Sequence, residues 1–202
     1  MASNSMGGNQ MEGNGTGIIQ LKDTRIIYIN GAIDNDMACT FNTILLNLEH
    51  ENPDEDVTVY INSPGGSIHA GLSMIDTMNL ISCDVETICV GMAASMGALL
   101  LMSGTKGKRK ILPHSKTLIH QPLGNFGGGS LQVSDIEILA KEFLRTKEEV
   151  YGIISECTGQ SYDKICVDCD RDYTMNAKES LEYHIVDEIV SQHKKVGQFF
   201  MP

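Results

Sequence analysis

Apolar and polar positions change period along this chain, short runs of strand type giving way repeatedly to stretches of helical type. "RIIYI" (25–29) reads as a strand, and after it Met37, Phe41, Ile44, Leu45 and Leu48 recur at helical spacing behind the capping candidates Asp34 and Asn35. "VTVYI" (57–61) predicts a second strand and leads into "NSPGGS"; Ile68, Leu72 and Ile75 then mark a helix to about Ser82. "VETICV" (85–90) predicts a third, buried strand, and Ser95 opens the next helix after the small residues "GMAA". Short strands alternating with helices need crossover connections, so the expected fold is a layered α/β one.

The second half has a different texture. "KILP" and "TLIH" (117–120) read as short strands, and "LGNFGGGSLQ" is too glycine-rich for a core element. A long helix is predicted over 134–157, with Ile136, Leu139, Phe143, Val150 and Ile153 along one face and Glu137 and Lys141 as an i,i+4 pair. So long a helix in a small domain is expected to project toward a neighbour. "NAKE" (176–179) has Asn at a cap and Glu three residues on, which starts a last short helix before the strand-like "DEIV". Residues 1–17, rich in Gly, Asn and Met and without periodicity, read as a flexible tail; 18–195 form a single domain and 196–202 a C-terminal tail.

Length and composition narrow this further. A chain of 202 residues, 42% hydrophobic, buries one good core. A net charge of -11 repels phosphate backbones and anionic headgroups, so neither nucleic acid nor membrane is an expected partner. Leu99 to Met102 is far too short to span a bilayer, and the first residues lack the basic and apolar regions of a secretion signal, which points to a soluble, cytoplasmic protein. Of six cysteines, Cys39, Cys83 and Cys89 fall in apolar segments where a thiol acts as a small hydrophobe. Cys166 and Cys169 form one CxxC, but zinc needs four ligands and only His184 lies near in sequence, so no metal or cofactor is expected.

The candidate chemistry starts at Ser95. A strand-to-helix turn of small residues exposes a side chain at the sheet edge and aims helix N-terminal amides at whatever binds there, which suits a nucleophile; the plainer reading is a helix-capping serine. "NSPGGS" offers Gly65 and Gly66 after another strand end, where a bare amide can pair with that of Met96 to hold an oxyanion, at about 3 kcal/mol per donor. His120, at a strand end before a proline, is placed to act as a general base. The acid that would orient it lies in "DCDRDY", where chemistry alone does not choose among Asp168, Asp170 and Asp172.

"YINSPGGSIHAGLSMIDTM", "GMAASMGALLL", "LIHQPLG" and "DRDYTMNAKESLEYHIVDEIV", in this order, resemble the ClpP family, the self-compartmentalised serine peptidases that form the proteolytic part of the Clp protease. The match runs from about Asp23 to Val190. The resemblance implies a crotonase-like fold of repeated β-β-α layers, assembled as two stacked heptameric rings around an internal chamber. It assigns Ser95 as nucleophile, His120 as base, Asp172 as orienting carboxylate, and the Gly66 and Met96 amides as oxyanion donors. It also implies that substrate lies as an added strand against Ser67 and Ile68 on one side and Leu123, Gly124 and Asn125 on the other. The segment 123–158 resembles the handle that interlocks the rings, and Asp170 and Arg171 the ring-to-ring contact. ATP would be used by a separate hexameric unfoldase of the ClpX, ClpA or ClpC type.

This sequence departs from the family's pattern in places. Members carry about twenty pore-lining residues before the first strand, where this chain has a polar stretch. Tyr60 matches an aromatic residue of the pocket that receives the ATPase loops. Lys110 and Thr58 stand where further aromatics are usual, so Lys110 either snorkels outward or meets a different docking loop. About three residues are inserted in the glycine-rich segment. These departures keep a second reading open, a largely inactive structural or regulatory paralogue in a mixed-subunit ring. Enoyl-CoA chemistry on the same fold lacks carboxylates in "SPGGS" and "GMAASMG", and a Ser–Lys peptidase using "TKGKRK" is unnecessary with His120 and Asp172 present.

Overall fold

The computed structural model describes residues 17–124 and 132–190. The expected tails outside those bounds, Asn125 and most of the glycine-rich stretch lie outside the described residues. The strands are β1 (Ile18–Gln20), β2 (Ile26–Asn30), β3 (Val57–Ser63), β4 (Val85–Ala94), β5 (Arg109–Ile111), β6 (Lys116–Ile119), β7 (Tyr173–Asn176) and β8 (Glu188–Ile189). The helices are α1 (Asn35–Glu51), α2 (Ile68–Leu80), α3 (Met96–Met102), α4 (Val133–Thr158), α5 (Tyr162–Asp168) and α6 (Ala177–Glu182).

One mixed sheet runs in the order β1-β2-β3-β4-β5-β8, with β6 and β7 branching from β4. The branch arises because β4, at 10 residues, is long enough for two partners in succession. Thr87 to Cys89 pair in parallel with β5, and Met92 to Ala94 with β6. β7 then closes antiparallel on β6, from Lys116↔Asn176 to Ile119↔Tyr173. The ends of β4 and β6 and the start of β7 therefore meet at one edge, next to Ser95, His120 and Asp172.

Local signals explain most elements. The Asp34 carboxylate caps α1 by accepting from the Met37 amide at 2.8 Å, and the alternation of β3 buries Val57, Val59, Ile61 and Ser63. Asn176 and Glu179 form the expected capping box on α6. Against expectation, "GMAA" is not a turn but the end of β4. Small residues have low strand propensity, and pairing with β6 overrides it. β1 precedes the strand read as the first, and Gly17, placed in the tail by sequence, accepts from the Asn30 amide at 2.8 Å. α5 and β7 escaped the sequence reading because each buries only one residue, Ile165 and Met175.

A buried ion pair fastens the far side of the sheet. Arg109, 3% exposed, donates through Nε to Asp187 at 2.8 Å and through Nη1 to the carbonyls of Cys157 and Met102 at 2.8 and 3.3 Å. Burial pushes the Asp187 carboxyl up, but hydrogen bonds from Arg109 and the Gly107 amide outweigh it and hold the group below its ordinary range. A folded-state pKa below the unfolded one stabilises above the unfolded value, near 3.9, and that stabilisation is lost as pH falls through the folded value. Asp187→Asn is thus expected to cost about 3 kcal/mol at neutral pH, since it strands a buried guanidinium. In urea unfolding of both proteins, the gap should narrow below about pH 4.

Candidate active site

The three residues matched to a nucleophile, base and acid each stand one position beyond a strand of the β4-β6-β7 branch. Ser95 follows Ala94, His120 follows Ile119, and Asp172 precedes Tyr173. Because β6 runs parallel to β4 and antiparallel to β7, these three ends share one edge of the sheet. The Ser95 amide donates to Leu118 O at 2.8 Å, which carries the β4–β6 pairing as far as Ser95 itself.

The side chains meet in sequence. Ser95 Oγ lies 2.9 Å from His120 Nε2, and His120 Nδ1 lies 3.1 Å from Asp172 Oδ1. His120 is largely enclosed, its side chain 15% exposed, whereas that of Asp172 is 72% exposed. Ser95 takes φ 54° and ψ −122°, a left-handed conformation that costs a non-glycine residue about 1–3 kcal/mol. Its hydroxyl makes no helix-cap bond to α3, so the capping reading fails and the strained turn delivers the side chain to His120 instead.

Of the three carboxylates in "DCDRDY", Asp172 is the one placed against His120, and the other two have different neighbours. Asp168 is the last residue of α5, where its carboxylate takes the Tyr183 hydroxyl at 2.7 Å and an ion pair from Lys164. Asp170 stays with Arg171, whose Nη1 lies 2.8 Å from the Asp170 carbonyl and 3.5 Å from its carboxylate. Arg171 is 84% exposed, and its bonds here are within its own segment.

"SPGG" packs against the other side of Ser95. A Cβ on Gly65, where φ is +91°, would come within 2.7 Å of both Ala94 O and Ser95 Cβ and 3.0 Å of the Met96 amide. A Cβ on Gly66 would meet Ile33 O at 2.1 Å, because Ile33 and Gly66 form a parallel bridge. The amides flanking Gly66 are committed, Gly65 N–H to Ser63 Oγ at 3.1 Å and Ser67 N–H to Ile33 O at 2.8 Å. Gly66 and Met96 line the same cavity as Ser95 and His120.

That cavity, about 230 Å³, is otherwise apolar, bounded by Pro64, Ile68, Leu99, Pro122, Leu123 and Val150. Of the residues matched to substrate contacts, Ile68 and Leu123 are in its wall. Ser67 instead serves α2, its hydroxyl accepting from the Ala70 amide at 3.4 Å. Gly124 is exposed beyond Leu123, and Asn125 lies outside the described residues.

Tyr60 and Lys110 flank Ile88 across β3, β4 and β5, and Tyr60 stacks on Tyr28 with ring centroids 6.3 Å apart. Lys110 neither snorkels free nor sits unpaired. Its ammonium is 2.5 Å from Glu86 and 3.9 Å from Glu188, and Glu86 also accepts from Thr58 at 3.3 Å. The Glu86 hydrogen bond raises the Lys110 pKa above its ordinary value against a smaller opposing effect of burial. At the CxxC, Cys169 is wholly buried and burial pushes its thiol up to about 12, while His184 turns its Nδ1 to Thr158 O at 3.2 Å. Among the described residues no group of three or more His, Cys, Asp or Glu could hold a metal ion, and no helix is long and apolar enough to cross a membrane.

Residues 10–193 match the Clp protease family. Similar proteins include the ATP-dependent Clp protease proteolytic subunit of Bacteroides fragilis, 51% identical over 166 residues covering 82% of this chain and 79% of that protein. The ATP-dependent Clp protease proteolytic subunit of Porphyromonas gingivalis is 50% identical over 171 residues, covering 85% and 76% respectively.

Proposed function

The chain belongs to the Clp protease family, and from that premise we propose that it is the proteolytic subunit of an ATP-dependent protease, a serine endopeptidase acting through Ser95, His120 and Asp172. The observation that carries this reading is the pair of contacts on His120, Ser95 Oγ at Nε2 and Asp172 at Nδ1. In the reaction, neutral His120 takes the Ser95 proton as Oγ attacks the scissile carbonyl. Asp172 holds Nδ1 protonated and stabilises the imidazolium that forms. The Gly66 and Met96 amides receive the developing alkoxide, and His120 returns its proton to the leaving amine. Water, deprotonated by His120, then hydrolyses the acyl-enzyme. All these roles fall to the chain's own residues, without a metal or organic cofactor.

The cavity beside Ser95 supports one preference. An apolar side chain preceding the scissile bond fits among Ile68, Met96, Leu99 and Leu123, whereas a carboxylate there would be desolvated without a partner. Short fluorogenic peptides with Leu at that position are expected to exceed those with Asp by about 100-fold or more in kcat/KM, measured without any ATPase. Equal rates would place the substrate side chain elsewhere.

The assembly belongs to the same proposal. Val133, Ile136, Ile138 and Leu144 expose large apolar side chains along α4, which supports burial against further copies, as two stacked heptameric rings enclosing the sites. A hexameric AAA+ unfoldase would feed the chamber in the cytoplasm. Its docking surface around Tyr60 is more polar than an all-aromatic pocket, because Lys110, Glu86 and Glu188 form a charged cluster there. The aligned contacts on His120 favour an enzyme over an inactive regulatory paralogue.

A further inference from the structure

The acid of this site is held less firmly than the base. Asp172 is 72% exposed, and the residues before it, Asp170 and Arg171, bridge the end of α5 to the start of β7 without strand pairing. The β6–β7 ladder has its last pair at Ile119↔Tyr173, so neither His120 nor Asp172 lies within it. It cannot continue past Gln121 by the same means, because Pro122 has no amide hydrogen to donate.

Among the described residues one side chain bridges the gap. Gln121 Nε2 donates to the Asp170 carbonyl at 2.8 Å. Arg171 reaches the same carbonyl at 2.8 Å, but it belongs to the segment being held and cannot tie that segment to β6. The Gln121 bond joins the residue after the base to the residue two before the acid.

We propose that Gln121 is a positioning residue for the proteolytic reaction: its side-chain amide extends the β6–β7 pairing by one bond and keeps Asp172 against His120 Nδ1. This rests on the reading of His120 and Asp172 as base and orienting acid. The exposed Asp172 carboxylate lies 3.1 Å from His120 Nδ1, and a shift of about 1 Å in such a group costs up to about 100-fold in rate. The sequence reading passed Gln121 over, since nothing in "LIHQP" marks a glutamine as more than a polar residue at a strand end.

The test is a set of variants in the assembled enzyme, with active sites counted by a fluorophosphonate so that unfolded subunits do not enter the rate. Gln121→Met keeps the length of the side chain and removes the donor. It should lower kcat for a short peptide by about 10- to 100-fold with KM within about twofold. Gln121→Lys restores a donor on a longer stem and should recover most of the lost kcat. Asp172→Asn, run beside them, separates the two claims. If it keeps the wild-type kcat, the reading of Asp172 as the orienting acid fails. If it lowers kcat while Gln121→Met keeps the wild-type kcat, the role of Gln121 alone is overturned.

Discussion

Ser95→Ala is expected to lower kcat for a short peptide by about 10,000-fold or more while leaving the fold intact. Among the described residues the hydroxyl has one hydrogen bond, to His120 Nε2 at 2.9 Å, and caps nothing on α3. Its removal should therefore change the unfolding free energy by less than about 1 kcal/mol. Alanine tolerates the positive φ of 54° no better than serine, so the strain of the turn remains in the variant. Steady-state rates on a fluorogenic peptide, with a denaturant curve on the same preparation, check both halves. A variant retaining more than about a hundredth of the wild-type rate would mean that another group attacks the substrate.

Gly65→Ala should be strongly damaging although it replaces none of the reacting groups. The added methyl has no free space. It meets Ala94 O and Ser95 Cβ at 2.7 Å and the Met96 amide at 3.0 Å, all on or beside the turn that presents the nucleophile. Because two of the three are backbone atoms, relief requires moving the turn, and φ of +91° adds its own penalty for a side chain. The expected outcome is a fall in kcat of about 100-fold, with a loss of about 1–3 kcal/mol in stability. Kinetics corrected for active sites, together with thermal unfolding, distinguish this from simple loss of folded enzyme. A variant within threefold of wild type would show that the turn has slack the packing denies it.

Much of the site was legible because its residues end strands. "YINSPGG" and "LIHQP" each show an alternating or apolar run cut off by turn chemistry, so strand ends could be read there, and Ser95 could be placed at a helix start. The end of the strand before it was misplaced, at Val90 rather than Ala94, since "GMAA" has the composition of a turn and becomes strand only because β6 is there to pair with it. The acid was illegible from chemistry for a related reason. Choosing Asp172 over Asp168 and Asp170 depends on β7, a four-residue strand with one buried position, and on Tyr183 and Lys164, which occupy Asp168 from other elements. Such information resides in tertiary contacts, which the spacing of residues along the chain does not carry. The partner of Lys110 was likewise invisible, because Glu86 becomes its neighbour only when β4 and β5 pair.

The most direct test of the account is to treat the assembled protein with a fluorophosphonate and map the adduct by peptide mass spectrometry, for the wild type and for His120→Ala. The account predicts one adduct per subunit, on Ser95, formed in step with loss of peptidase activity and at least about a thousandfold more slowly in His120→Ala. Full peptidase activity without an adduct on Ser95, or an adduct forming equally fast in His120→Ala, would contradict it.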